Sequence, residues 1–389
     1  MGSRFETVFR WNSLCCGLAF GVILHRKLPS PCGHLISRTM GTNEAVTDSD
    51  TWFLSLGFIA SIVVALCSYG FKVVLVIVAT LAGTKLYLRW TKGIYNGINR
   101  MDGKTVIVTG GNAGIGKETA KELARRGARV ILACRSPAKG QRAAEDILVE
   151  TGCSVVVRQL DLCSLKSVRQ FADDIVRNER RLDVLINNAG IFPDRIQLTE
   201  DGYEECFQAN YLGHFLLTLL LTDLLKKSAP SRVVNLTSFL HHLGHTQRLE
   251  ERARGTHPWV TPTLAYGDSK MATVCFTRTL AHKLKMHGVT VNVVNPGIVN
   301  TTIADKDSLM SLFLRFLYRT IGKTPWEGAQ TILYAAVDDR FLESTGKYLA
   351  DCKDDWVNWR ALDKREASRA FETSVRLVGM ELDQVQKLF

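Results

Sequence analysis

The sequence predicts an α/β fold in which a doubly wound parallel sheet follows an N-terminal membrane-anchor helix. From Met101 onward, short β-branched runs alternate with helical patterns, which is typical of a parallel sheet covered by helices on both faces. The first run leads directly into the glycine-rich turn TGGNAGIG, residues 109–116. A stretch of twenty residues without a formal charge, 52–71, precedes this region.

Length and composition limit the class of protein. The 389 residues and 46% hydrophobic content allow one large domain with an appendage. The net charge of +11 has its excess near the apolar N-terminal region, without a DNA-binding motif, so we expect membrane lipid and no nucleic acid as a partner. The ten cysteines show no CxxC or Cys/His ligand spacing, which predicts no metal site and favours a reducing compartment.

The N-terminal hundred residues divide into an extension, 1–50, and a membrane anchor, 51–92. The stretch 52–71 matches the bilayer core of about 30 Å. The next apolar stretch, 73–83, is too short to cross alone. One span with Lys72 at its end and a re-entrant or hairpin insertion both remain open, whereas a buried helix of a soluble domain is disfavoured.

Charges flanking the anchor predict its orientation. Acidic residues precede it and basic residues such as Lys85, Arg89 and Lys92 follow it, which places the C-terminal domain in the cytosol or an equivalent compartment. Within 1–40, an apolar run behind Arg4 and Arg10 fits both a signal-like segment and a mitochondrial presequence. These residues therefore do not decide which membrane holds the anchor.

Seven strands are expected in a single domain from 102 to 380, because no linker rich in Pro, Gly or Ser divides it. Helices fill the gaps between them. The predicted strands are Thr105 to Val108, Arg129 to Cys134, Ser154 to Gln159, Leu182 to Asn187, Arg232 to Leu236, Thr290 to Asn295 and a short one around Tyr348.

The glycine-rich turn between the first strand and the first helix predicts a dinucleotide site of the Rossmann type. Gly110, Gly114 and Gly116 allow the backbone to turn tightly and approach a pyrophosphate, which the N–H groups of the helix start would bind. Asn112 and Ile115 belong to the same turn and to the same predicted site. A purely structural turn is the alternative.

The end of the second strand indicates which dinucleotide binds. Arg135 stands nineteen residues past Gly116, where an NAD site places an acidic residue. A guanidinium can instead pair with a 2′-phosphate, and Lys139 could add charge, so NADP(H) is favoured over NAD. The alternative for Arg135 is an ordinary surface arginine.

Polar motifs follow three later strands, at the edge where ligands of such sheets bind. They are NNAG at 187–190, NLTS at 235–238 and NPGIVNT at 295–301. The segment YGDSK begins the helix between the last two motifs. Tyr266 and Lys270 therefore share one helix face and point toward the same crevice.

These motifs together resemble the short-chain dehydrogenase/reductase family, and the resemblance covers essentially all of 102–380. The segments NYLGHFLLTLLL (210–221), HHLG (241–244), KTPWEGAQT (323–331) and ASRAFETSVRLVG (367–379) are similar to the membrane-anchored, microsomal retinol dehydrogenase branch. The resemblance implies a membrane of the endoplasmic reticulum, with a mitochondrial membrane as the alternative.

The same resemblance implies a catalytic tetrad and further cofactor contacts at matching positions. The tetrad is Asn210, Ser238, Tyr266 and Lys270; Asp161 would meet the adenine, Asn188 would line the cleft, and Thr301 would hold the nicotinamide carboxamide.

The tetrad has a chemical rationale of its own. A tyrosine with an ordinary pKa of about 10 is a poor base, but a lysine ammonium one turn away lowers that pKa. Tyr266 could then exchange a proton with the substrate oxygen, which Ser238 would also bind, while Lys270 holds the ribose hydroxyls. By resemblance, Asn210 supports a water that links Lys270 to solvent.

The substrate class follows from apolar sequence near the site. The segment 307–323 is an apolar helical pattern with basic edges, which suits a lid resting on a membrane, although a core helix is the alternative. We expect a lipophilic alcohol and its carbonyl, retinol and retinal first. Asn295 and Thr237 depart from the retinol dehydrogenase pattern, which keeps a steroid, a polyprenal or a lipid aldehyde open, as well as a cofactor-binding scaffold without turnover.

His241 and His242 lack a third ligand and are expected in a pocket wall or loop.

Overall fold

The computed structural model describes the backbone of residues 48–300, 320 and 322–389, with side chains from residue 66 onward in these ranges. The predicted extension 1–50 lies almost entirely outside the described residues, as do Thr301 and nearly all of the predicted lid. The chain divides into two units, Met1–Phe71 and Lys72–Phe389, and the sheet belongs to the second.

The first helix, α1, spans Asp48–Thr91 without a break. Among the residues whose side chains are described, Leu66–Thr91 is long and apolar enough to cross a membrane, with a mean hydropathy of 1.9 and no buried part. Most of the predicted span, 52–71, precedes residue 66 and therefore lies outside the residues whose side chains are described. Lys72 lies inside this candidate segment, and the chain makes no hairpin turn there.

Within the described ranges, one eight-stranded sheet has the order β3-β2-β1-β4-β5-β6-β7-β8, which confirms the predicted doubly wound fold. All neighbouring strands are parallel except β7 and β8. The strands are β1 (Thr105–Thr109), β2 (Arg129–Cys134), β3 (Val156–Gln159), β4 (Val184–Asn187), β5 (Ser231–Leu236), β6 (Val289–Asn295), β7 (Tyr348–Ala350) and β8 (Lys353–Asp354). The antiparallel β8 was not predicted, since two exposed residues leave no pattern to recognise.

Helices pack on both faces of this sheet. They are α2 (Gly114–Arg125), α3 (Pro137–Thr151), α4 (Leu165–Asn178), α5 (Glu205–Phe207), α6 (Gly213–Leu220), α7 (Thr222–Lys227), α8 (Leu249–Ala253), α9 (Pro262–Leu284), α10 (Pro325–Val337), α11 (Lys364–Leu377) and α12 (Leu382–Gln386). A π-helix, Gln208–Leu212, joins α5 to α6, and a 3₁₀-helix, Phe239–Leu243, follows β5.

Alternating strand residues serve two separate cores. Ile107 packs with Phe207 and Phe215 on one face, while Val106 and Val108 pack with α10 on the other. Because both faces are covered, the strands are apolar at successive positions rather than at every second one. The first core also includes Val385 and contacts Phe389, so the fold continues past residue 380.

The strand order changes direction between β1 and β4, because the chain leaves β3 at one edge and returns to the other side of β1. At such a switch point the loops after the two strands diverge and open a crevice at their carboxyl ends. The glycine-rich turn after β1 and the segment after β4 therefore form the two walls of one cleft.

Candidate active site

The glycine-rich turn is held in a conformation that side chains would obstruct. Gly110 and Gly114 have φ angles of 66° and 53°, in the left-handed region. A Cβ atom on Gly116 would lie 2.5 Å from the Asn188 amide nitrogen and overlap the Gly110 carbonyl. The backbone is thus open to a ligand that approaches the start of α2 closely.

A cleft of about 320 Å³ opens in front of this turn. Residues from the turn, from the loops after β2, β3 and β4, and from α9 line it. The predicted residues in its wall are Gly110, Asn112, Gly114, Ile115, Gly116, Arg135, Asp161, Asn188, Tyr266 and Lys270. Lys139 is not in the wall: it is exposed in the first turn of α3, where its N–H is capped by Ser136.

Two charged residues line the part of the cleft wall that comes from the segments after β2 and β3. Arg135 follows directly after β2, is exposed, and forms no ion pair within the described part of the chain. Asp161 follows β3, and its carboxylate accepts the Cys163 N–H at 2.9 Å. An exposed guanidinium in the cleft wall is suited to an anionic ligand group.

Tyr266 and Lys270 both lie in α9 after its first turn, and both line the cleft. The Thr261 side chain caps the start of this helix. The helix begins four residues before Tyr266, earlier than the sequence predicted. The Tyr266 side chain is buried, and its ring lies 4.9 Å from that of Phe192. The Lys270 ammonium is 5.5 Å from the centre of the Tyr266 ring and donates to the Leu236 carbonyl at 3.1 Å.

Burial changes the acidity of this ammonium. Lys270 is 3% exposed, and loss of hydration lowers its pKa from 10.5 to about 8. The group therefore remains mainly charged at neutral pH but loses its proton under mildly alkaline conditions.

The other two predicted tetrad residues lie just outside the cleft wall. Asn210 is buried in the π-helix, and its amide brackets Ile191: the oxygen accepts the Ile191 N–H at 2.8 Å and the nitrogen donates to its carbonyl at 3.0 Å. Ser238 is half-buried next to Thr237, which lines the cleft, and its hydroxyl accepts the Leu240 N–H at 3.3 Å. A π-helix is often found at functional sites.

His241 and His242 lie in the 3₁₀-helix after β5 and are not among the residues that line the cleft. His241 is fully buried, its pKa is lowered to about 4 by burial, and its Nδ1–H donates to the Ser238 carbonyl at 2.8 Å. His242 stacks on Trp356 at 4.6 Å. Among the side chains that the structure describes, no cluster of three or more His, Cys, Asp or Glu could hold a metal ion.

Sequence reasoning missed several residues of the site. Cys134, Cys163, Thr237 and Pro296 also line the cleft. Each lies at the end of a predicted strand or a few residues after it, so position relative to the strand ends was the available signal. The buried His214 was also missed, because an imidazole in an apolar helix gives no local pattern.

Comparison with known proteins places this geometry in a class. The family model described as enoyl-(acyl carrier protein) reductase matches residues 110–339. Bovine retinol dehydrogenase 12 is 47% identical over 279 residues, covering 72% of this chain and 87% of that protein. Human retinol dehydrogenase 13 is 43% identical over 316 residues, covering 79% of this chain and 95% of that protein.

Solved structures show the same likeness. A crystal structure of an uncharacterised Mycobacterium paratuberculosis protein has 34% identity and a TM-score of 0.58, covering 73% of this chain and 96% of its own. A short-chain dehydrogenase from Escherichia coli CFT073, solved with NADPH, has 28% identity and a TM-score of 0.52, covering 66% and 99%.

The chain belongs to the short-chain dehydrogenase/reductase family, and its curated relatives of 41 to 47% identity are retinol dehydrogenases 11 to 14. This supports an oxidoreductase that uses a nicotinamide cofactor and acts on CH–OH groups. The relatives and the apolar segment of α1 together suggest association with a membrane.

Proposed function

We propose that this protein is a membrane-anchored, NADP(H)-dependent oxidoreductase that interconverts a lipophilic alcohol and its carbonyl, with retinol and retinal as the first candidates. One observation carries the proposal: Tyr266 and Lys270 share a single cleft with the glycine-rich turn and with Arg135. Hydride transfer to a carbonyl requires a residue that exchanges a proton with the substrate oxygen and a site that holds the dinucleotide. Both are combined in this cleft.

The residues present fit a nicotinamide dinucleotide. The positive φ angles of Gly110 and Gly114 and the bare backbone at Gly116 leave room for a pyrophosphate at the start of α2. Arg135 would hold the 2′-phosphate of NADP(H), and Asp161 would meet the adenine. Asn188, Asn112 and Ile115 would line the cleft around the cofactor, and Thr301 would hold the nicotinamide carboxamide.

Tyr266 would exchange the proton on the substrate oxygen. When bound, the cofactor supplies or accepts the hydride. The Lys270 ammonium, 5.5 Å from the centre of the phenol ring, favours the phenolate electrostatically and would bind the ribose hydroxyls of the cofactor. Ser238 would hydrogen-bond the substrate oxygen, and Asn210 would support the water that returns protons to Lys270.

The relatives' names and one local departure bear on the substrate. The relatives are retinol dehydrogenases, which favours retinal. Asn295, in the motif where the sequence departs from that branch, accepts the Gly297 N–H at 3.1 Å and bonds to Tyr348. These hydrogen bonds shape the loop after β6, which contains the cleft residue Pro296. Because the departure lies next to the cleft, a steroid, a polyprenal or a lipid aldehyde stays the alternative substrate.

A reductase assay tests the function directly. The purified full chain would be assayed with retinal, a steroid ketone and a polyprenal, each with NADPH and with NADH. We expect NADPH-dependent reduction of retinal above the other carbonyls. Tight NADPH binding without turnover on any carbonyl would favour the alternative of a cofactor-binding scaffold.

Location in the endoplasmic reticulum membrane, with the catalytic domain in the cytosol, completes the proposal. The basic residues Lys85, Arg89 and Lys92 at the end of α1 support this orientation. Protease protection in cell fractions would test it. Cleavage of the catalytic domain in intact microsomes is expected, and a protected domain in mitochondria would favour the mitochondrial alternative.

A further inference from the structure

His214 lies buried in α6 and is not one of the tetrad residues. Its Nε2 is 2.9 Å from the Thr109 hydroxyl, and its Nδ1 is 3.1 Å from the Asn210 carbonyl. The two partners belong to distant parts of the sequence: Thr109 ends β1, and Asn210 lies in the π-helix.

The chemistry of these partners fixes the direction of every bond. A carbonyl only accepts, so Nδ1 must carry a proton and donate it to Asn210. Burial lowers the pKa of His214 to about 3, so the ring is neutral and Nε2 is unprotonated. The Thr109 hydroxyl therefore donates its proton to Nε2, its nearer acceptor; the Ile186 carbonyl is 3.4 Å away.

Both partners hold the same segment of the cleft wall. With its proton directed to His214, the Thr109 oxygen accepts the N–H groups of Asn188 and Ala189, at 2.9 and 3.0 Å. The Asn210 amide clamps Ile191 at the other end of this segment. Residues 188–191 all line the cleft.

We propose that His214 is a positioning residue that joins Thr109 to Asn210 and thereby fixes segment 188–191 as the wall against which the cofactor binds. The neutral ring acts as a rigid spacer with one donor and one acceptor. Its role extends the proposed function, since it links the Asn210 clamp on Ile191 to the Thr109 hydroxyl that holds Asn188 and Ala189.

The site is sensitive to small changes in this wall. A Cβ on Gly116 would already meet the Asn188 amide at 2.5 Å, and a Cβ on Gly110 would meet the Ala189 Cα at 2.9 Å. The wall is thus in close contact with the glycine-rich turn. We therefore expect a displacement of residues 188–191 to change the shape of the cradle.

Two substitutions remove the bridge from opposite sides. His214→Phe deletes both ring nitrogens, and Thr109→Val deletes the hydroxyl without changing the shape of the side chain. Each leaves buried polar groups unpaired, so we expect each to raise the Kd for NADPH about tenfold or more. The double variant should lose less than the product of the two effects, because both break one connected network.

Thr222→Val is a matched control. Thr222 is as buried as Thr109, but its hydroxyl donates to the Thr218 carbonyl within the helical region. Its loss should leave the Kd for NADPH unchanged within about twofold. His214→Gln, which keeps an acceptor near the position of Nε2, should bind NADPH more tightly than His214→Phe and offers a second test if the phenylalanine variant folds poorly.

Amide hydrogen exchange in the cofactor-free full chain in detergent provides a readout independent of the cofactor. We expect faster exchange at Asn188, Ala189 and Ile191 in His214→Phe and His214→Gln, with the Gln variant protecting Asn188 and Ala189 better than Phe does. Unchanged exchange at 188–191 in both His214 variants would overturn the proposal, as would an unchanged Kd together with a merely lower melting temperature. If the wild type binds neither NADPH nor NADH, the proposed function fails, and the exchange experiment still decides the role of His214.

Discussion

The ammonium of Lys270 lies 5.5 Å from the centre of the Tyr266 ring and is buried with it in the cleft wall. Burying the charge of Lys270 beside the phenol lowers the free energy of unfolding. This relationship leads to two predictions on Lys270, and the cleft around it leads to three more.

Lys270→Met is expected to abolish turnover and to stabilise the protein. The lowering of the Lys270 pKa from 10.5 to about 8 corresponds to an unfavourable burial on the order of 3 kcal/mol. A methionine of similar length removes that cost, so the melting temperature should rise by several degrees. Thermal unfolding followed by fluorescence measures this. Lys166→Met, at an exposed position of α4, is the control and should change neither property. A lower melting temperature in Lys270→Met would show that the ammonium contributes to stability instead.

The reaction rate should fall above pH about 8, where Lys270 loses its proton. The pH profile of kcat/KM reports the pKa of the free enzyme, so it should break near this value. Stability should change in the opposite direction. Between pH 8 and 10.5 the unfolded chain binds more protons at this position than the folded one, so the contribution of Lys270 to stability rises with pH. This rise should be missing from Lys270→Met; a profile of kcat/KM that stays flat to pH 10 would contradict the assignment.

Arg135→Asp is expected to shift cofactor preference from NADPH toward NADH. Loss of a charge-assisted bond to the 2′-phosphate should weaken NADPH binding by about tenfold to a hundredfold, and the new carboxylate can accept from a ribose hydroxyl. Titration of the variant with both cofactors measures the change. Arg142→Asp, on the exposed surface of α3, makes the same change of charge outside the cleft wall. Equal shifts in the two variants would indicate general electrostatics rather than recognition at Arg135.

Gly116→Ala should raise the Kd for NADPH by about tenfold or more, since the new methyl group overlaps the Gly110 carbonyl and crowds Asn188. Gly83→Ala is the matched control, because a Cβ at this position of α1 meets no atom within 4 Å. Its cofactor binding should equal that of the wild type. Isothermal titration of both variants is sufficient, and tight binding by Gly116→Ala would mean that the turn does not cradle the cofactor.

The sequence was a good guide to features encoded locally. Continuous apolar runs bounded by turn residues placed all seven strands within about two residues, although β3 begins at Val156 and β4 at Val184, each two residues late. The glycine-rich turn and Arg135 could be placed in the cleft because both follow strands directly. Tyr266 and Lys270 could be paired because four residues make one helical turn.

Features that depend on distant contacts could not be predicted. Lys139 was predicted to bind the phosphate because it follows Arg135 closely, yet the cap at Ser136 starts α3 so that Lys139 lies outside the cleft wall. The bridge from His214 to Thr109 joins residues 105 positions apart. The π-helix that presents Asn210 depends on the packing of α5 and α6 rather than on a local pattern.

Comparison of Tyr266→Phe with the wild type tests the central claim most directly. Both proteins would be titrated with NADPH by fluorescence and then assayed for NADPH oxidation with retinal. The phenylalanine keeps the ring packed on Phe192 but removes the hydroxyl, so the Kd for NADPH should stay within about twofold while turnover falls by about a thousandfold or more. Turnover equal to that of the wild type would contradict the role of Tyr266 as the acid and base of the reaction.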